Sequence, residues 1–183
     1  MTPAEDALFG EASDHARIKN WASCMSTSSR LLGSADAHVA GVARLNVMIG
    51  HYHQGAYTNL IPRDLAGLID QLPSEARPTC VGLIALAAHR LGDQKLSQVM
   101  LLILAGWELE PLDVPSIPDF VRLRPAPEGC HIQEAADSSP MMAALESVAS
   151  NPALTGEELQ KIQSLKRVYD ARALAMGTQQ KPH

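Results

Sequence analysis

Between Ala35 and Leu109 apolar residues recur at helical spacing, and the runs are cut by single glycines and prolines. Such a pattern limits the chain to packed helix pairs, because a stripe recurring every three to four residues can only be covered by another layer. Aromatic residues make up 4% of the chain, so the core must be built from Leu, Ile, Val, Ala and Met, which suits helix on helix. With 183 residues, one domain can enclose a real core. The 46% apolar content argues against a disordered chain.

The punctuation predicts about seven helices. Residues 1–12 read as a flexible start. A first helix is expected from Asp14 to Leu32, with Ile18, Trp21, Ala22, Met25, Ser29 and Leu32 along one face. Ser34 can cap a second, Ala35 to Gln54, ended by Gly55. Its stripe is Val39, Val42, Leu45, Ile49 and Tyr52. Pro62 suits the first turn of a third helix to Leu72. A fourth is expected from Glu75 to Leu91, with Gly92 beyond it, and Asp93 can cap a fifth that reaches Leu109. The run Val99–Ala105 is apolar all round, which predicts that the fifth helix is the central one; a buried strand is the alternative for such a run, and the scarcity of β-branched residues from Lys95 to Glu108 favours the helix.

The character then changes. Pro111, Pro115, Pro118, Pro125 and Pro127 make 110–137 a proline-rich irregular connection, with a short extended stretch expected at Asp119–Arg124. Ser139-Pro140 announces a sixth helix to Ala149. Thr155-Gly156-Glu157-Glu158 has the form of a capping box and opens a last helix to about Met176, striped by Leu159, Ile162, Leu165, Tyr169, Ala173 and Met176. The expectation is a single all-α domain over 13–176, with a flexible tail at 177–183.

The helical hairpin Leu83-Ile84-Ala85-Leu86-Ala87-Ala88-His89-Arg90-Leu91-Gly92-Asp93-Gln94 resembles the first helix and turn of a tetratricopeptide repeat. Ala85 stands at that family's small position before the turn glycine, and Ser97 at the small position after it. Val47 to Leu60 is a looser second match, with Gly55 as the turn glycine. Gly55 and Gly92 lie slightly further apart than the family's period of about 34 residues. Leu60 replaces a small residue, and Pro62 falls where a second helix belongs. In size, acidity and helix pairing the chain is similar to the small bacterial chaperones of type III secretion. The resemblance implies stacked hairpins that bind another protein.

Catalytic patterns are missing from the sequence. No Gly-x-Ser-x-Gly elbow, phosphate-binding loop, CxxC or HExxH motif occurs. His51 and His53 are two apart and point to opposite sides of a helix, which separates them as ligands of one ion. Cys130-His131 are adjacent, which is not the geometry of a dyad. Three cysteines without regular spacing do not form a disulfide framework; Cys24 and Cys80 read as small core residues. The formal charge of -5 argues against nucleic acid as a partner, and the cluster Lys161, Lys166 and Arg167 reads as a solvated helix face. No run reaches the ~20 apolar residues of a membrane span, and the start carries no secretory signal, so a cytoplasmic location is the default expectation.

The functional expectation is a non-enzymatic protein-binding module: an adaptor, chaperone or regulatory subunit. It would hold an apolar segment of a partner in a groove lined by the second and fourth predicted helices. The candidate partner-binding residues are Tyr52, His53, Tyr57, His89 and Trp107. No catalytic residue, metal ligand or cofactor is assigned. One alternative is a small helical enzyme or ligand- or metal-binding protein that uses His51, His53, His89 and Cys130. Another is a self-assembling subunit, a homo-oligomer associating through its wholly apolar fifth helix.

Overall fold

A computed structural model describes residues 1–108, 110–111, 121–122 and 138–179. The protein is all-α, with eight α-helices among the described residues. They are α1 (Pro3–Arg17), α2 (Trp21–Ser29), α3 (Ala37–His53), α4 (Leu65–Asp70), α5 (Arg77–Arg90), α6 (Gln94–Glu108), α7 (Ser138–Ala149) and α8 (Gly156–Gln179). Short 3-10 turns at Tyr57–Leu60 and Ser74–Ala76 flank α4. Among the described residues of the proline-rich connection, Glu110–Pro111 pairs antiparallel with Val121–Arg122, within the expected extended stretch. The rest of 110–137, including Cys130-His131, lies outside the described residues, as do residues 180–183. Among the described residues, no helix is long and apolar enough to cross a membrane.

The expected first helix is two helices, and the expected loose start belongs to the first of them. Thr2-Pro3-Ala4-Glu5 forms a capping box: the Glu5 N–H donates to Thr2 Oγ1 at 3.2 Å, and the Thr2 N–H donates to the Glu5 carboxylate at 2.6 Å. Proline occupies the first turn, where its missing N–H costs nothing. Ser34 does not cap α3. Its hydroxyl donates to Glu5 at 2.6 Å, and Asp36 caps α3 by accepting from the His38 and Val39 N–H groups. Those bonds to Ser34 and Thr2 hold the Glu5 carboxyl below its ordinary range.

The break between α1 and α2 is a Schellman turn. The Lys19 N–H donates to Ala16 O and the Asn20 N–H to His15 O, both at 2.9 Å, with Lys19 at φ 58. The same bonds close α3 at Gly55 (φ 72) and α5 at Gly92 (φ 77), where glycine meets no Cβ penalty. At Lys19 a side chain is held in that region, so the turn is encoded without its usual residue. The break also rotates the first stripe: Ile18 is 67% exposed, and α2 buries Cys24, Thr27 and Ser28 instead.

Two core clusters result. The smaller joins Leu31, Val39 and Ala43 with Leu8 and Phe9 of α1 packed against it. The larger runs through α3, α5, α6, α7 and α8. Its centre is α5 rather than the expected α6. Cys80, Val81, Gly82, Leu83, Ile84, Ala85, Ala87 and Ala88 are all buried, and α5 touches α3, α6, α7 and both 3-10 turns. On α6, Met100, Leu101, Leu104 and Ala105 are buried, but Val99 is 43% exposed. The sides of α3 and α5 that face each other belong to this core, where the Cys80 thiol meets Met48 Sδ at 3.8 Å.

The last two helices follow the sequence pattern closely. Met141, Ala144, Leu145 and Val148 of α7 and Ile162, Leu165 and Tyr169 of α8 are buried. The expected inward residues Ala173 and Met176 lie beyond the described side chains. The box at Thr155 forms as read, with Glu158 N–H to Thr155 Oγ1 at 3.3 Å and Thr155 N–H to Glu158 at 2.9 Å. Asp93 caps α6 through Leu96 N–H at 3.0 Å.

Glycines at helix crossings and glycines in open space have opposite roles. A Cβ at Gly50 would meet Met25 Cβ at 2.9 Å, so α2 and α3 touch there; a Cβ at Gly10 meets nothing within 4 Å. In urea unfolding, Gly50→Ala is expected to lose about 1–3 kcal/mol by overpacking, and Gly10→Ala to gain about 1 kcal/mol by helix propensity. Lys19→Gly is expected to gain about 1 kcal/mol by relieving the left-handed backbone; a loss of stability in that variant would refute the turn assignment.

Candidate functional site

The site is built by two chain reversals. α2 and α3 lie antiparallel, since Met25 meets Gly50 while Trp21 meets His53. This sets the first residue of α2 against the last residue of α3. The Gly55 turn then folds the chain back, and the 3-10 turn returns Tyr57 to Tyr52.

The outcome is a row of four rings. Trp21 and His53 stack, with centroids 4.3 Å apart and planes 5° from parallel. Tyr52 meets His53 edge-on at 5.6 Å and 82°, and Tyr57 at 5.6 Å and 60°. Such geometries suit the ring quadrupoles, which favour offset stacks and edge contacts. His53 is exposed at its edge, while Trp21, Tyr52 and Tyr57 are half-buried. In a chain with two Trp and three Tyr, one Trp and two Tyr gather here. Ile18, the most exposed large apolar side chain among the described residues, stands three residues before Trp21. Beyond the row, Asn59 Nδ2 approaches His51 Nδ1 at 3.5 Å.

The His53 imidazole is held below its ordinary value of 6.5, first because its stacked face is withdrawn from water and second because the Lys19 ammonium opposes a further positive charge. The neutral ring therefore prevails near neutrality. The folded imidazole takes up its proton at lower pH than the unfolded one, so the unfolded chain binds more protons just below pH 6.5. This contribution to stability is full above that value and is lost as pH falls through the folded value.

Tyr52, His53 and Tyr57 thus come together in one cluster, with His53 exposed and Trp21, Tyr52 and Tyr57 packed half-buried against the main core. His89 and Trp107 do not join each other. The three-residue link Leu91–Asp93 makes α5 and α6 an antiparallel hairpin, with His89 beside the link and Trp107 at the far end, ~20 Å away at 1.5 Å per residue. His89 is half-buried in the last turn of α5, and Trp107 packs half-buried against the main core. Trp21 is the residue that sequence reasoning missed as part of a site. Asn20 carried the signal: its side chain caps α2 by accepting from Ser23 N–H at 3.3 Å. A helix starting at Trp21 puts that indole at a helix end, next to whatever ends the antiparallel neighbour.

Cys24 and Cys80 are both 0% exposed. Burial raises the Cys24 thiol against an opposing bond from Ser28, and pushes Cys80 up to about 12, so neither is a thiolate near neutrality. Among the described residues, no three His, Cys, Asp or Glu side chains group so as to hold a metal ion. Comparison with protein-family models, curated protein sequences and solved structures gave no match.

The stack is open to a direct optical test. In a Trp107→Phe background, emission from Trp21 is expected to fall on acidification, as an imidazolium forms on the indole face, with a midpoint below 6.5. His53→Gln is expected to abolish this titration and flatten the loss of stability below that pH. A midpoint at or above 6.5 would rule out a desolvated stacked ring.

Proposed function

We propose that the chain is a non-enzymatic protein-binding module, an adaptor, chaperone or regulatory subunit, which buries an apolar segment of a partner against Trp21, His53, Tyr52 and Tyr57. The observation that supports this reading is the ring cluster, in which His53 is exposed and three half-buried aromatic rings lie beside it. Trp and Tyr dominate binding hot spots because they supply large, stiff contact area with a polar tip. Lys19, close enough to His53 to oppose its charging, gives the cluster a cationic border that favours an acidic flank on the partner.

The tetratricopeptide-like reading of the α5–α6 hairpin belongs to the same proposal. Ala85 and Ser97, both 0% exposed, sit where that design needs small residues. A cytoplasmic setting and a protein rather than nucleic-acid partner complete it.

Co-purification from the native cell supplies the partner, and titration calorimetry then measures the surface. Trp21→Ala and Tyr57→Ala are each expected to weaken binding by roughly 30-fold or more, the scale of a hot-spot residue, with thermal unfolding still cooperative. Unchanged affinity in both variants would remove the cluster from the interface. Self-association is a second reading, favoured by the 43% exposure of Val99 on α6. It requires a solution mass above that of one chain by light scattering, and Val99→Lys returning it to the monomer.

A further inference from the structure

We propose that residues 61–70, centred on α4, form a strap that opens as a unit and uncovers part of the main core while α3, α5 and α6 stay folded. The segment is held at its two ends and loosely between them. Leu60 is 1% exposed and Leu72 is 3% exposed, yet no residue from 61 to 71 is buried. The C-terminal end is pinned against α3: the Pro73 ring and Gln71 O lie so close to Gly41 that a side chain there would have no room.

Between these anchors the strap has little to hold it. α4 is six residues long, far below the ~12 residues at which an isolated helix becomes even marginal in water. Its backbone makes at most weak contact with any other described element. Its attachment is a row of half-buried side chains, Leu65, Leu68 and Ile69, laid against the main core at i, i+3 and i+4. Its backbone hydrogen bonds are local: Leu68 N–H donates to Asp64 O and Gln71 N–H to Leu68 O, and its ends join the anchors through Ile61 N–H to Thr58 O at 3.4 Å and Leu72 N–H to Ile69 O at 3.1 Å. Pro62 and Pro73 lack the N–H that would join them to the flanking turns, so α4 can unwind without breaking a bond of α3 or α5. Asp64 is the cap that keeps it wound, accepting from Gly67 N–H at 3.0 Å.

Opening exposes the underside of Leu65, Leu68 and Ile69 together with the core surface they cover. That surface is apolar and already accepts a helix with this spacing. Its use by a partner rests on the protein-binding reading above, whereas the opening itself does not.

Native-state hydrogen exchange on the unmodified chain, without any partner, tests the strap. The amides of Leu68 and Gln71, which bond to Asp64 O and Leu68 O at 3.2 Å, are the reporters. They are expected to exchange at least ~100-fold faster than those of Ile84 and Leu101, with a denaturant slope that is measurable but well below that of Ile84 and Leu101, as an opening that uncovers only part of the core requires. Asp64→Ala is expected to speed them by roughly 5-fold more and to leave α5 and α6 unaffected. Exchange of α4 with the denaturant slope of Ile84 and Leu101, or equal acceleration of all three helices in Asp64→Ala, would overturn the proposal. Because no partner is present, this result is independent of whether the ring cluster binds one.

Discussion

The structure depends on how closely other helices can approach α5. From Cys80 to Ala88 this helix carries mostly small side chains, and Gly82, Ala85, Ala87 and Ala88 are all buried. Small residues let neighbouring backbones come near, so the large side chains of the partners fill the space over α5. Leu101 and Leu104 of α6 and Leu145 of α7 are buried to 0% in this way. At Gly82 the arrangement is visible atom by atom, because a Cβ there would touch Met141 Cε and Leu104 Cδ2 at ordinary contact distance. Each large side chain buried around α5 contributes about 1.5–3 kcal/mol, provided the packing leaves no void.

That constraint explains why the most apolar helix is not the central one. Hydropathy measures how strongly a side chain leaves water; centrality depends on how many neighbours fit around a backbone. The run Val99–Ala105 on α6 is rich in large residues, which hold neighbours at a distance on every side. The helix therefore buries one face and leaves Val99 toward solvent. Low-volume α5, with weaker hydropathy, takes the middle.

A second theme is the use of helix ends to place side chains. Three helices close with the same pair of hydrogen bonds, at Lys19, Gly55 and Gly92. The first reversal delivers Trp21, and the second delivers Tyr57. Without the Lys19 turn, α1 and α2 would continue as one rod and Trp21 would lie mid-helix, away from the end of α3. The ring cluster is thus a by-product of chain reversal, held by side chains from three successive elements. The Gly92 reversal does the opposite for His89 and Trp107, sending them to the two ends of one hairpin.

Much of the helical layout was legible in short windows. Asp93, Gly55, Gly92 and the Thr155–Glu158 box act as read, because a cap or a left-handed turn is chosen by the few residues that bond within it. The box at Thr2–Glu5 is equally local, although residues 1–12 read as a flexible start from the sequence. Lys19 was not legible, since a non-glycine residue enters that backbone region only when the packing on both sides demands it. By itself, then, the sequence determined that the chain is helical, where most of its helices start and stop, and that Tyr52, His53 and Tyr57 share a turn. Only the tertiary structure decided that α5 is the centre, that Trp21 completes the cluster, and that α4 lies loosely between two buried leucines. Hydrogen bonds within a helix close over four residues and are written locally; contacts between helices depend on the volumes of both partners, which no single window contains.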